Sequence, residues 1–170
     1  MEILKIFDSG NYEKSLPRAV RRAVRGIIEK DGRLLMIKSE KYGDCKFPGG
    51  GALAGENREE TLIREVREET GFDVIPESIV PFGETVEIRK DLVKNRIFEQ
   101  RSYYYLCSVG GTAGETCLDD YEKEYGYHAL YITPAEAITQ NEGVMKRGGP
   151  AWTERENCVL TLLAKGRLSV

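Results

Sequence analysis

The 170 residues amount to one domain, and the 41% hydrophobic and 31% charged shares are those of a globular chain with its own core. A net charge of −3 supplies no global field toward a nucleic acid polymer or an anionic membrane surface. No apolar run reaches the roughly 18 residues of a membrane span, and four scattered cysteines with one histidine leave a zinc site without its usual spacing.

The opening MEILKIFDSGNYEKS turns polar too early for a secretory leader. Residues 1–17 read as an N-terminal extension of a single domain covering residues 1–170. Arg18 to Arg25 is compatible with helix or strand; a strand is expected because the run flows without a stop into a hairpin, GIIEKDGRLLMIKS, around Asp31-Gly32. Its arginines read as a solvated face, with a phosphate-contacting strand as the alternative.

A glycine-rich loop, FPGGGALAGE, then leads into a helix expected from about Arg58 to Thr70, with Asn57 and Glu60 as capping box and Gly71 as left-handed cap. At about 100° per residue, Leu62, Ile63 and Val66 form the buried arc. Glu65, Glu68 and Glu69 form a neighbouring arc, and Arg64 and Arg67 lie further round toward solvent. Like charges three and four apart repel by roughly 0.2–0.5 kcal/mol per pair even when exposed, and no helical partner neutralises Glu65 plus Glu69. A divalent cation would, and carboxylates in a cluster suit Mg²⁺ or Mn²⁺.

IVPFGETVEIR and FEQRSYYYLCSV read as strands, GGTAGETCLDDYEKEYG as a long acidic loop, and LYITPAEAITQ as a strand and then a helix capped by Thr133 with Pro134 at its first position. GVMKRGGP reads as a flexible turn. WTERENCVLTLLAKG reads as a closing helix over 151–166, with Thr153 as N-cap, Glu156 three residues on and Gly166 past the end. Hairpins outnumber βαβ units, so the class expected is α+β with a layered mixed sheet.

The stretch from Gly50 through Glu56 to REVREETGF (Arg64–Phe72) resembles the signature of the Nudix hydrolase (MutT-like) family, G-x5-E-x7-R-E-U-x-E-E-x-G-U, at every fixed position. The likeness extends over most of residues 18–140. It implies an α/β/α sandwich around a mixed β-sheet and Mg²⁺-dependent cleavage of a nucleoside diphosphate linked to another moiety. It implies Glu65, Glu68 and Glu69 as metal-binding carboxylates, with Gly50 adding its carbonyl, and Glu65 as general base in some members. Glu56 and Arg64 match a pair that braces the loop against the helix. Some members draw a further catalytic carboxylate from a later loop; the acidic loop here offers Asp119, Asp120, Glu122 and Glu124, with Glu124 as the candidate and a plain solvated loop as the alternative reading. His128 is expected to be structural or exposed.

By the same resemblance, substrate-defining marks are mostly absent, which leaves a nucleoside triphosphate or oxidised nucleotide, with ADP-ribose or a nucleotide sugar as the alternative. Tyr42, Phe47, Phe82 and Tyr103 are candidate base-stacking residues. A catalytically inactive nucleotide sensor and a protein-interaction domain are the rival readings. A cytoplasmic enzyme is expected, possible as a homodimer by family analogy, without membrane or nucleic acid partners.

Overall fold

The computed structural model describes residues 1–167. In chain order come β1 (Ile3–Asp8), β2 (Arg18–Ile27), β3 (Glu29–Lys30), β4 (Arg33–Lys38), β5 (Cys45–Lys46), α1 (Arg58–Thr70), β6 (Asp73–Val74), β7 (Val80–Lys90), β8 (Ile97–Leu106), β9 (Val109–Gly110), α2 (Asp120–Glu124), β10 (His128–Ile132), α3 (Pro134–Lys146) and α4 (Trp152–Leu162). One sheet has the order β1-β7-β8-β2: β1 runs parallel to β7, β7 and β8 form an antiparallel hairpin, and β8 runs parallel to β2. A second sheet, β10-β4-β3 with β5 on β4, is antiparallel.

Side-chain alternation divides the core between two helical layers. Tyr104 joins Ile27, Leu34, Met36 and Phe47 against α3 and α4, where Ala137, Val159 and Leu160 complete the cluster. Tyr103 and Tyr105, on the opposite face of β8, join Val24, Ile28 and Leu35 against Leu62 and Val66 of α1. The arrangement is the α/β/α sandwich around a mixed β-sheet anticipated from the sequence, with the arginine run as a strand and Asp31-Gly32, both at positive φ, turning the hairpin. The segment before residue 18 contributes an edge strand through β1.

Local chemistry explains where the expected elements hold and where they shift. α1 starts on the Asn57–Glu60 capping box and stops at Gly71 (φ 74°). α3 has the Thr133 cap and Pro134 but runs on through Gly143-Val144-Met145-Lys146, which reads as a turn only if its glycine is taken as a breaker. The acidic loop contains a short helix, α2, because Asp119 and Glu122 form a capping box. At α4 the expected cap fails: the helix begins on Ala151, and Glu156 turns inward to the Phe47 amide and to Arg155. Thr153 is wholly buried and its hydroxyl has no hydrogen-bond partner. Arg64 departs from its expected direction too, folding back over the glycine loop.

A buried, unpaired hydroxyl costs stability that an N-cap hydroxyl would supply. Thr153→Val is therefore expected to leave stability unchanged or raise it by up to about 1 kcal/mol in urea unfolding. A loss of about 1 kcal/mol would restore Thr153 as the cap.

Candidate active site

The glycine loop after β5 lies along the free edge of β2. The amide of Val24 donates to the Gly50 carbonyl (2.8 Å) and that of Gly26 to Pro48 (2.8 Å). Gly49 has φ 135°, and a Cβ there would enter the Val24 carbonyl; a Cβ on Gly50 would enter the Glu65 carboxylate. Glycine is thus required at both positions, by backbone conformation at the first and by close approach at the second.

Arg64 ties loop to helix. Its guanidinium donates to Glu56 (Nε 2.6 Å), to the Gly51 carbonyl (3.0 Å), to Glu65 (2.9 Å) and to Glu68 (2.8 Å). That pairing, with help from the Leu53 amide, holds the Glu56 carboxyl at about 2. Glu69 is 1% exposed and sits under the loop, accepting from Lys46 Nζ (2.8 Å) and the Gly49 amide (2.6 Å). Burial pushes its carboxyl up to about 7, against the pull of Lys46 and Arg25. Burial also raises Glu65, opposed by Arg64. Glu68 is the most open of the three, with 37% of its side chain exposed.

Three carboxylates within one turn of helix are of the hard-oxygen type that would suit a divalent cation. Among the described residues no three acidic, histidine or cysteine side chains converge on a point as they stand. Arg64 and Lys46 occupy the intervening positions, so a cation would take over part of their pairing. The Gly50 carbonyl has one lone pair engaged by Val24.

Beyond Lys46 a cavity of about 580 Å³ opens on the α4 side of the β1-β7-β8-β2 sheet. Tyr121, Tyr125, Tyr127 and Trp152 form one wall, with tyrosine centroids 5.8–6.3 Å apart in edge-to-face contacts. Arg21, Arg25 and Arg155 line the cavity opposite the acidic helix. Glu122 is buried beside it, accepting from the Tyr121 hydroxyl (2.9 Å) and lying 3.8 Å from Lys46 Nζ.

Glu56, Glu65 and Glu68 are brought together on Arg64, with Gly50 against Glu65, while Glu69 is held separately under the loop by Lys46 and the Gly49 amide. Glu124 joins neither group: its exposed side chain pairs with Lys41 at 2.7 Å. Glu122, from the same stretch, is the carboxylate that reaches Lys46. The Asp119–Glu122 capping-box spacing was the signal that could have selected it. Of the expected stacking residues, Phe47 is core, Tyr103 is buried under the Arg58 guanidinium (3.6 Å to its ring centre) and Phe82 packs on the core. Tyr42 abuts Tyr125 and Trp152 from behind. Sequence reasoning missed Lys46, the three tyrosines and Trp152, whose convergence is tertiary. His128 is exposed, near the Gly126 carbonyl and Glu40.

A loop cinched to an acidic helix and opening on a cationic, aromatic cavity suits an anionic ligand with an aromatic end. The NUDIX domain family matches residues 17–148, and the chain belongs to that family. It is 31% identical over 133 residues to the nucleoside triphosphatase NudI of Salmonella agona, covering 75% of this chain and 92% of that protein. It is 44% identical over 74 residues to the ADP-ribose pyrophosphatase of Methanocaldococcus jannaschii, an alignment spanning 42% of this chain and only 43% of that enzyme. Among solved structures, a NUDIX hydrolase from Nitrosomonas europaea is similar in fold (TM-score 0.60, 18% identity, covering 88% of this chain and 92% of that one).

Lys46 neutralises two buried carboxylates, so its removal strands their charge. Lys46→Met is expected to cost about 3 kcal/mol in urea unfolding in metal-free buffer, with part of the loss recovered in the Lys46→Met/Glu69→Gln double variant. A loss under about 1 kcal/mol would mean that Glu69 is not held by this pair.

Proposed function

We propose that this Nudix pyrophosphohydrolase is a Mg²⁺-dependent enzyme that cleaves the diphosphate linkage of a nucleoside diphosphate derivative. The observation that carries the reading is the adjacency of the acidic face of α1 to the cavity, with Lys46 belonging to both. The scissile diphosphate would lie over the glycine loop, and the base would enter between Tyr121, Tyr125, Tyr127 and Trp152, where ring faces supply stacking.

In this proposal the Glu65, Glu68 and Glu69 carboxylates hold magnesium, with Mn²⁺ able to replace it. Bound there, the metal supplies neutralisation of the phosphate oxygens and a water of lowered pKa. Glu65 accepts the proton of the attacking water, a role suited to a carboxyl that burial raises and Arg64 orients. Arg64 and Glu56 keep the loop at a fixed distance from the helix, which fixes the phosphorus relative to the water. The additional carboxylate is assigned to Glu122 rather than Glu124. With Glu69 engaged by a cation, Lys46 would be available to a phosphate oxygen.

The two named relatives support different substrates, a nucleoside triphosphate and ADP-ribose. The broader alignment favours the triphosphate. No feature of the cavity selects an oxidised base over an ordinary one. Four free cysteines suit a reducing compartment, which supports placing the enzyme in the cytoplasm. Among the described residues no helix is long and apolar enough to cross a membrane.

Turnover of nucleoside triphosphates, ADP-ribose and nucleotide sugars, assayed with Mg²⁺ and with EDTA, tests the proposal. Tight binding of nucleotides without products under any metal would instead support the sensor. Glu68→Gln, at the most open carboxylate, is expected to lower kcat by about a hundredfold or more with an unchanged melting curve. Tyr125→Ala is expected to raise KM roughly 5- to 50-fold, the worth of one stacked base, with a smaller effect on kcat.

A further inference from the structure

Arg21 and Arg25 are four residues apart on β2, hence on one face of the strand, and that face looks into the cavity. The cavity is lined by five cationic side chains and one acidic one, Glu87. Three of the cations have carboxylate partners there or behind it. Lys46 pairs with Glu69 and Glu122, Arg89 with Glu87, and Arg155 with Glu156 (2.9 Å) and Glu87 (3.3 Å).

Arg21 and Arg25 have only neutral acceptors. Arg21 Nη1 donates to the Gln100 side chain (2.9 Å). Arg25 Nη1 donates to the carbonyls of Gly49 and, at 3.4 Å, of Phe47. Arg25 is 6% exposed, and its Nε is buried without any hydrogen-bond partner. Arg21 is exposed, with part of its side chain lining the cavity. Partial desolvation, then the neighbouring charges of Arg25 and Arg155, lowers its proton affinity against the opposing pull of Tyr121 and Glu65.

The cost of two guanidinium groups that repel each other, one nearly fully buried with a donor unused, is offset in part by the charges of Glu65 and Glu69, which neither group bonds, and an anion bonded to both relieves it. A guanidinium fork matches the oxygens of a phosphoryl group, to which it binds bidentately. Both groups stand at the glycine loop: Arg25 touches the Gly49 carbonyl, and a Cβ on Gly51 would lie 3.5 Å from Arg21 Nη2. Both also lie near enough to the α1 carboxylates to feel their charge, Arg21 that of Glu65 and Arg25 those of Glu65 and Glu69.

We propose that Arg21 and Arg25 form an anion subsite for a phosphoryl group additional to the scissile diphosphate. This rests on the hydrolase reading above. Substrates with a third phosphoryl group are then preferred, and ADP-ribose, with two, is the poorer substrate. The extra group can be the third phosphate of a nucleoside triphosphate or an ester on a ribose; the chemistry presented to the arginines is the same.

Arg21 is the residue to change, since Arg25 also supports the loop. In EDTA, inorganic tripolyphosphate is expected to bind the wild-type protein in calorimetry, and Arg21→Gln to weaken it about tenfold or more. With Mg²⁺, kcat/KM is compared for ATP, ADP-ribose and ADP-ribose 2′-phosphate. Arg21→Gln is expected to lower the ATP to ADP-ribose ratio about tenfold, and Arg21→Lys to restore part of it. A fall confined to the 2′-phosphate arm places the extra group on the ribose. Ratios within twofold of wild type in both arms overturn the subsite. If no substrate is turned over, the hydrolase reading fails, and tripolyphosphate binding alone decides on the arginines: loss in Arg21→Gln upholds the subsite, and equal binding overturns it.

Discussion

A carboxylate buried beneath a glycine loop is the constraint from which the rest of the site follows. Glu69 can be there only because Lys46 and the Gly49 amide meet it. Gly49 can present its amide only in a conformation that excludes a side chain. The loop can hold that conformation because β2 offers it a free edge on one side and Arg64 clamps it from the other. Helix, loop and strand are therefore a single electrostatic assembly, and altering any of the three moves the acidic face of α1.

Charges of opposite sign flank that loop: Glu65 and Glu68 gather on Arg64, Arg21 and Arg25 line the cavity, and Lys46 belongs both to the cavity and to the Glu69 pair. A substrate with a polyanionic centre and an aromatic end fits the gradient: acidic residues where a cation can mediate, bare guanidinium where an oxyanion can bind directly, and rings beyond. The buried Arg155–Glu156 pair fixes one wall while Glu156 also accepts from the Phe47 amide, so α4 reaches the loop through the core.

What could be read from the sequence was local. The limits of α1 follow from Asn57, Glu60 and Gly71, which act within one turn of themselves, and the fixed spacing from Gly50 to Phe72 is contiguous. The aromatic recess was illegible because Tyr121, Tyr125 and Tyr127 meet Trp152 only after α4 packs on the sheet. Phe47 and Tyr103 took the core role that aromatics of such segments more often have: Phe47, just after β5, and Tyr103, on β8, are buried beneath the helical layers. Thr153 misled because a capping pattern is satisfied on paper by two residues that the core pulled elsewhere. Arg21 and Arg25 were half legible: once the run is a strand, period two puts them on a common face, but nothing local says that this face borders a cavity.

The parallel pairing of β1 with β7 ties Ile3 to Glu84 and Asp8 to Ile88, and β2 meets β8 across a comparable interval. On a ribosome, β1 thus emerges some eighty residues ahead of its partner, with Ile3 and Ile6 bare. Closing so large a loop is entropically expensive and kinetically late. The β7–β8 hairpin that carries Glu87 and Arg89 closes locally, so a chain in which β1 has not yet docked presents the unpaired edge of β7 to chaperones.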